Sequence, residues 1–269
     1  VTVFRPATGE TKEIKVIRAV IKVPSVKDVN NRTEFPIGED NIGYVRIIQF
    51  GEKTADELKS ALKKLESKGV QALVLDLRGN PGGLLDTAVE VCEKFLPRNQ
   101  LVVSTEGRGS TPKREYRVPG RDQHPNFPMV VLVNGLSASA SEIVAGSLQD
   151  LKRAIIVGEQ TFGKGSVQSV IPLPDNSALR LTTAKYYTPS HKVIHEKGIT
   201  PDIQIPMTEE EERDLFLKRS PGALDTLDDK ERERVMNARD PQLDRATDLL
   251  KGITLFTKRT PAEKVSAKK

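Results

Sequence analysis

Three runs of this 269-residue chain gather residue types that could do chemistry together. The first is Asn134-Gly135-Leu136-Ser137-Ala138-Ser139-Ala140-Ser141-Glu142. An apolar strand ends there, the chain turns, and a helix begins among three serines. A serine at such a corner can present its hydroxyl as a nucleophile. The amides of the first helical turn are unbonded and can receive an oxyanion. Spacing does not separate Ser139 from Ser137 or Ser141, and ordinary N-capping by serine accounts for the same pattern.

The second run is Gly158-Glu159-Gln160-Thr161-Phe162-Gly163-Lys164-Gly165-Ser166. It narrowly misses the phosphate-binding loop, which needs Ser or Thr directly after the lysine and then a helix. Here Gly165 follows Lys164, and Val167-Gln168-Ser169-Val170-Ile171 reads as a strand. Nucleotide binding is therefore the weaker use of this lysine. The other use is as a general base, which requires the neutral amine. An ordinary lysine titrates at about 10.4, so burial or nearby positive charge must lower that value. Val167, Val170 and Ile171 are apolar and the only nearby acid in sequence is Glu159, so Lys164 is expected to be desolvated. Gln168, four residues on, is placed to aim the amine.

The third run, Asp76-Leu77-Arg78-Gly79-Asn80-Pro81-Gly82-Gly83, follows a strongly apolar strand. Ligands gather at the C-terminal edge of such strands, and paired glycines let backbone amides approach them. A tight turn explains the run as well. The three histidines do not supply a Ser-His-Asp triad. His124 sits in a polar loop, and His191 and His195 flank a hairpin end. Those two are four residues apart in a poor helix, which argues against a metal pair.

The surrounding pattern predicts an α/β core. Ile42 to Phe50 reads as a strand. Thr54 and Glu57 then suggest a capping box, followed by Leu58, Ala61, Leu62 and Leu65 at helical spacing and a stop at Gly69. Val70 to Leu77 is an apolar run of the kind buried on both faces of a parallel sheet. A helix from Leu84 to Leu96, a strand at Met129–Val133, a helix at Ala138–Leu151 and a strand at Ala154–Val157 continue the alternation. Val167–Leu173 and Leu179–Tyr187 form a hairpin around Pro174-Asp175-Asn176-Ser177. Beyond Pro206 the chain turns to charged helices. One starts at Asp240-Pro241, with Leu243, Ala246, Leu249 and Leu250 on one face, and the end is basic.

Lys and Arg (42) barely outnumber Asp and Glu (37), the charges are mixed, and no basic run alternates with aromatics. That argues against a nucleic-acid partner. The lone Cys92 allows no internal disulfide and falls in an apolar helical pattern. No stretch is long and apolar enough to span a membrane. Val1–Arg5 and Glu13–Ala19 read as two strands around a turn, as if a segment preceded them.

Taken together, the serine run with Gln149-Asp150, Gly158-Glu159, Phe162-Gly163-Lys164-Gly165 and Gln168 resembles the carboxyl-terminal processing peptidases, or tail-specific proteases. Asp76-Leu77-Arg78, Asn80-Pro81-Gly82-Gly83, Gly198-Ile199 and Pro201-Asp202-Ile203 extend that resemblance, in order, over about residues 40–205. It implies a Ser–Lys dyad of Ser139 as nucleophile and Lys164 as base, with Gln168 orienting the base. It implies oxyanion donors at Ala140 and in the Gly82-Gly83 loop, and neither cofactor nor metal. It implies a crotonase-like core at 42–206 and the last strands of a truncated PDZ domain at 1–23. A linker at 24–41 and a charged helical region at 207–269 complete the division. Protein substrates cut near their C-terminal region, adaptor proteins in some bacterial members, and export to the bacterial cell envelope belong to the same expectation. Any membrane attachment would lie in a segment preceding Val1. Two other classes remain open: an inactive peptide-binding module of the same fold, and a nucleotide-binding protein acting through Lys164.

Overall fold

The computed structural model describes residues 1–19, 23–38, 40–109, 113–120, 126–220 and 222–259. His124 and the basic run at 264–269 lie outside the described residues. The chain opens with a hairpin of β1 (Thr2–Arg5) and β2 (Glu10–Glu13). The second strand pairs three residues earlier than expected, with Phe4 opposite Thr11, and Ile14 to Ala19 is not strand. The hairpin is exposed throughout and forms a sheet of its own. Its assignment to a PDZ domain rests on the resemblance alone.

β3 (Val26–Lys27), β4 (Ile42–Ile47), α1 (Thr54–Ser67), β5 (Ala72–Asp76) and α2 (Leu85–Glu93) follow. Next come β6 (Leu101–Gly107), β7 (Arg114–Arg117), β8 (Met129–Val133), α3 (Ala140–Asp150) and β9 (Ile155–Gly158). β10 (Ser166–Pro172), β11 (Ala178–Tyr187), β12 (Ile203–Gln204), α4 (Glu209–Arg219), α5 (Asp229–Asn237) and α6 (Pro241–Arg259) complete the chain. The main sheet runs β12-β9-β8-β5-β4-β3, parallel except for β3. A second, antiparallel sheet runs β10-β11-β6-β7. The α/β core and the helical C-terminal extension are as the sequence predicts.

Strand parity divides the core. Leu73 and Leu75 of β5 pack with Leu58, Leu62 and Leu65 of α1, Cys92 of α2 and Ile143 and Leu148 of α3. Ala72 and Val74 face the other way, with Val130, Leu132, Ala246 and Leu250. Successive side chains of a strand alternate faces, so Asp76 shares the α6 side with Ala72 and Val74. A fully buried leucine contributes roughly 1.5–3 kcal/mol, so the paired cores fix the strand register. Cys92 is fully buried, and burial pushes its thiol up to about 12. It is a packing residue.

The expected capping box of α1 does not form. Thr54 is already helical and Lys53 stands at the cap. The Glu57 carboxylate instead accepts from Ser25 N–H, Ser25 Oγ and Val26 N–H, at 2.7, 2.7 and 3.2 Å. Thr54 Oγ1 accepts from Gly51 N–H at 2.9 Å. Both side chains fasten the incoming chain. That chain joins the core, since Val26 pairs with Ile47 and Phe35 is buried.

Candidate active site

The turn after β8 is held by side chains. Asn134 Oδ1 accepts from Gly79 N–H (2.9 Å) and Leu136 N–H (3.2 Å). Ser137 Oγ donates to Leu77 O, and Ser141 Oγ donates to Asn80 O, both at 2.9 Å. Both hydroxyls are fully buried and committed to the neighbouring loop. Ser139 is half-exposed, and its hydroxyl donates to nothing among the described residues. Its φ of 55° is a left-handed conformation that a non-glycine residue adopts only when its surroundings impose it. The structure thus distinguishes three serines that spacing cannot.

The Asp76–Gly83 loop lies directly against this corner. A Cβ on Gly82 would sit 2.6 Å from Ala138 O, 2.8 Å from Ser139 Cβ and 2.9 Å from Ala140 N. With φ at +98°, only glycine fits there. Gly82 N–H is taken by Asn80 Oδ1 at 2.8 Å. The N–H groups of Gly83 and Ala140 have no partner among the described residues. Two free amides therefore flank Ser139, one from each loop.

Glu142 joins the remaining pieces. Its fully buried carboxylate accepts from Ser139 N–H (2.8 Å), Lys164 N–H (2.9 Å), Gly163 N–H (2.6 Å) and Thr161 Oγ1 (2.6 Å). One carboxylate ties the serine corner to the lysine loop. This role is not readable from the sequence, because an acid in the first turn of a helix is ordinary. Its partners arrive only when the Thr161–Lys164 loop folds back over α3.

The lysine departs from expectation. The Lys164 and Gln168 side chains are both exposed, as are Val170 (63%) and Ile171 (40%). The apolar neighbours that were to cover the amine project on a hairpin away from the core. A carboxylate also lies closer than Glu159, which instead accepts from Met207 N–H. No hydrogen bond joins Ser139 Oγ, Lys164 Nζ and Gln168 among the described residues. Glu142 brings the backbones of Ser139 and Lys164 together without joining their side chains. A bulge at Val167/Gln168 breaks the β10–β11 register beside the lysine. The loop then enters β10, so no helix N-terminus faces it, as a phosphate loop would need. His191 pairs with Glu106 at 2.8 Å and stacks on Tyr187, with no shared site with His195.

Behind the Gly79–Gly83 loop lies a buried ionic network. Arg78 Nη2 reaches Asp76 at 2.6 Å and Asp240 at 2.8 Å, and Nη1 donates to Gln242 Oε1 at 3.0 Å. Arg219 of α4 also pairs with Asp240, at 2.8 Å. Burial pushes the Asp76 carboxyl up, but the Arg78 guanidinium outweighs it, leaving the group well below the usual carboxylate range. Asp240 is lowered by the same opposition of burial and Arg78. Tyr44, which donates to Asp76 at 2.6 Å, is raised by burial and by that carboxylate.

Residues 41–205 match the model of peptidase family S41. The chain is 49% identical over 208 residues to a carboxy-terminal-processing protease of Bartonella bacilliformis, covering 76% of this chain and 46% of that protein. It is 36% identical over 201 residues to the carboxy-terminal processing protease CtpB of Bacillus subtilis, covering 75% and 41%. Among solved structures, the photosystem II D1 C-terminal processing protease superposes with a TM-score of 0.59 at 33% identity, over 81% of this chain and 58% of that one. The chain spans about half the length of the curated relatives it matches. By its sequence and by its fold, the chain belongs to peptidase family S41, the carboxyl-terminal processing peptidases.

Proposed function

We propose that the chain is the catalytic part of a serine endopeptidase that cuts protein substrates near their C-terminal region through a Ser139–Lys164 dyad. The observation that carries this reading is the Glu142 carboxylate, which binds the backbone N–H of both residues. In this mechanism Ser139 Oγ attacks the scissile carbonyl while Lys164 Nζ takes its proton. The resulting oxyanion is received by the N–H groups of Ala140 and Gly83, since Gly82 N–H is already bonded. Lys164 returns the proton to the departing amine, leaving an acyl-Ser139 intermediate. Water activated by Lys164 then releases the acid.

The exposed lysine sets a condition on this cycle. A lysine base must be neutral, and burial favours the neutral amine. A bound peptide lying over the site would supply that cover and bring Lys164 to Ser139. Exposed apolar residues suited to an extended apolar peptide lie on the loops of the site, Leu84, Leu136 and Phe162, and further ones, Val170 and Leu181, on the hairpin that follows Lys164. Gln168 orients the covered amine. Action in the bacterial cell envelope belongs to the same proposal. The test is digestion of an unfolded protein with an apolar tail. The chain should cleave it and Ser139→Ala should not; equal cleavage by the variant contradicts the reading.

A further inference from the structure

A cavity of about 330 Å³ opens between the C-terminal edge of the main sheet and α4. That is the lower end of the range for ligand pockets. Gly79 and Leu136 line it, so both loops that flank Ser139 also form its wall. Leu136 and Phe216 add exposed apolar surface. Four arginines line it, Arg46, Arg78, Arg213 and Arg219, and Arg213 lies 3.9 Å from Asp214.

The other two besides Arg46 are also answered. Asp76 and Asp240 pair with Arg78 and Arg219. Arg46 is left over. Its Nη2 donates to Arg78 O at 3.3 Å, and its Nε is buried with no partner. Asp76, opposite it in the β4–β5 register, acts on it through its charge, but no salt bridge joins Arg46 to a carboxylate among the described residues. Of the acids lining the cavity, Glu212 accepts from Asn134 Nδ2, and Glu209 lies in the first turn of α4 with no ion pair to Arg46 among the described residues. An arginine with an unsatisfied buried donor is costly, and its fork suits a planar carboxylate.

We propose that this cavity is a subsite for a carboxylate of the bound peptide, recognised by Arg46. The proposal rests on the peptidase reading, because a peptide crossing the Gly79 and Leu136 loops reaches both the cavity and Ser139. The carboxylate is either a substrate C terminus or an acidic side chain.

The test uses binding to the Ser139→Ala chain, read by fluorescence anisotropy, so that it does not depend on turnover. The probe is a labelled leucine- and alanine-rich peptide with one glutamate. It is offered with a free C terminus, with an amidated C terminus, and amidated with glutamine replacing glutamate. A carboxylate-bearing form should bind about tenfold more tightly than the uncharged form, the gain expected of a charge-assisted arginine pair. Arg46→Gln should erase that preference and leave binding of the uncharged form unchanged, while Arg46→Lys keeps part of it. A loss on amidation identifies the C terminus, and a loss with glutamine identifies the side chain. Equal affinity for all forms, a preference that survives Arg46→Gln, or no binding at all overturns the subsite. Cleavage by the unaltered chain, measured separately, tells whether the peptidase reading falls with it.

Discussion

A buried carboxylate without a cationic partner must be held by hydrogen bonds, and Glu142 is held by four. Glu142→Gln keeps the shape but offers one acceptor oxygen and turns an NH₂ toward donors. We expect a stability loss of about 2–3 kcal/mol by denaturant unfolding, from the donors left unsatisfied. Cleavage should fall at least about tenfold, as the two loops lose register. Unchanged turnover would show that the loops hold themselves. Residues that act as one unit lose activity non-additively, so Ser139→Ala, Lys164→Ala and the pair should be equally inactive while folded. Gln168→Ala should lose less than either. Types and order of these residues were legible in the sequence. Spacing left Ser137, Ser139 and Ser141 equivalent and only the resemblance singled out Ser139, because what sets the three apart, the bonds of Ser137 and Ser141 to Leu77 O and Asn80 O, forms across the fold. Exposure of Lys164 was not legible either, since an apolar strand reads the same whether covered or projecting.

At the scale of elements, periodicity revealed β4, α1, β5, β8, α3 and the β10–β11 hairpin, each built on a strong apolar pattern. It passed over β6 and β7, where Arg114, Glu115 and Arg117 mask a sheet edge, and β3, which is too short to show alternation. Thr54 and Glu57 misled because a capping box and a tertiary clamp use the same residue types. The C-terminal helices also acquire a role at this scale. Asp240 at the start of α6 and Arg219 of α4 meet Arg78, whose backbone begins the loop carrying Gly83. Asp240→Ala leaves a buried guanidinium under-paired, and we expect it to cost about 3 kcal/mol. Activity should fall with it, because the Gly79–Gly83 loop loses its brace. A variant as stable and active as the parent would detach the helices from the site.

For the whole molecule the ionic network predicts acid sensitivity. Asp76 and Asp240 have folded-state values lowered by Arg78, so the folded chain holds their protons less tightly than the unfolded one. Their stabilisation is present above the unfolded value of about 3.9 and is lost as pH falls below it. Melting temperature should therefore drop steeply on acidification below about pH 4, and Asp240→Asn should flatten that limb. An acid limb unchanged in the variant would place the sensitivity elsewhere. Labelling the folded chain with a serine-reactive phosphonate, with the adduct mapped by mass spectrometry, shows whether Ser139 is a nucleophile activated by Lys164. A single adduct on Ser139 that disappears in Lys164→Ala is the expected result. An adduct on Ser137 or Ser141, or labelling of Ser139 undiminished without the lysine, would contradict it.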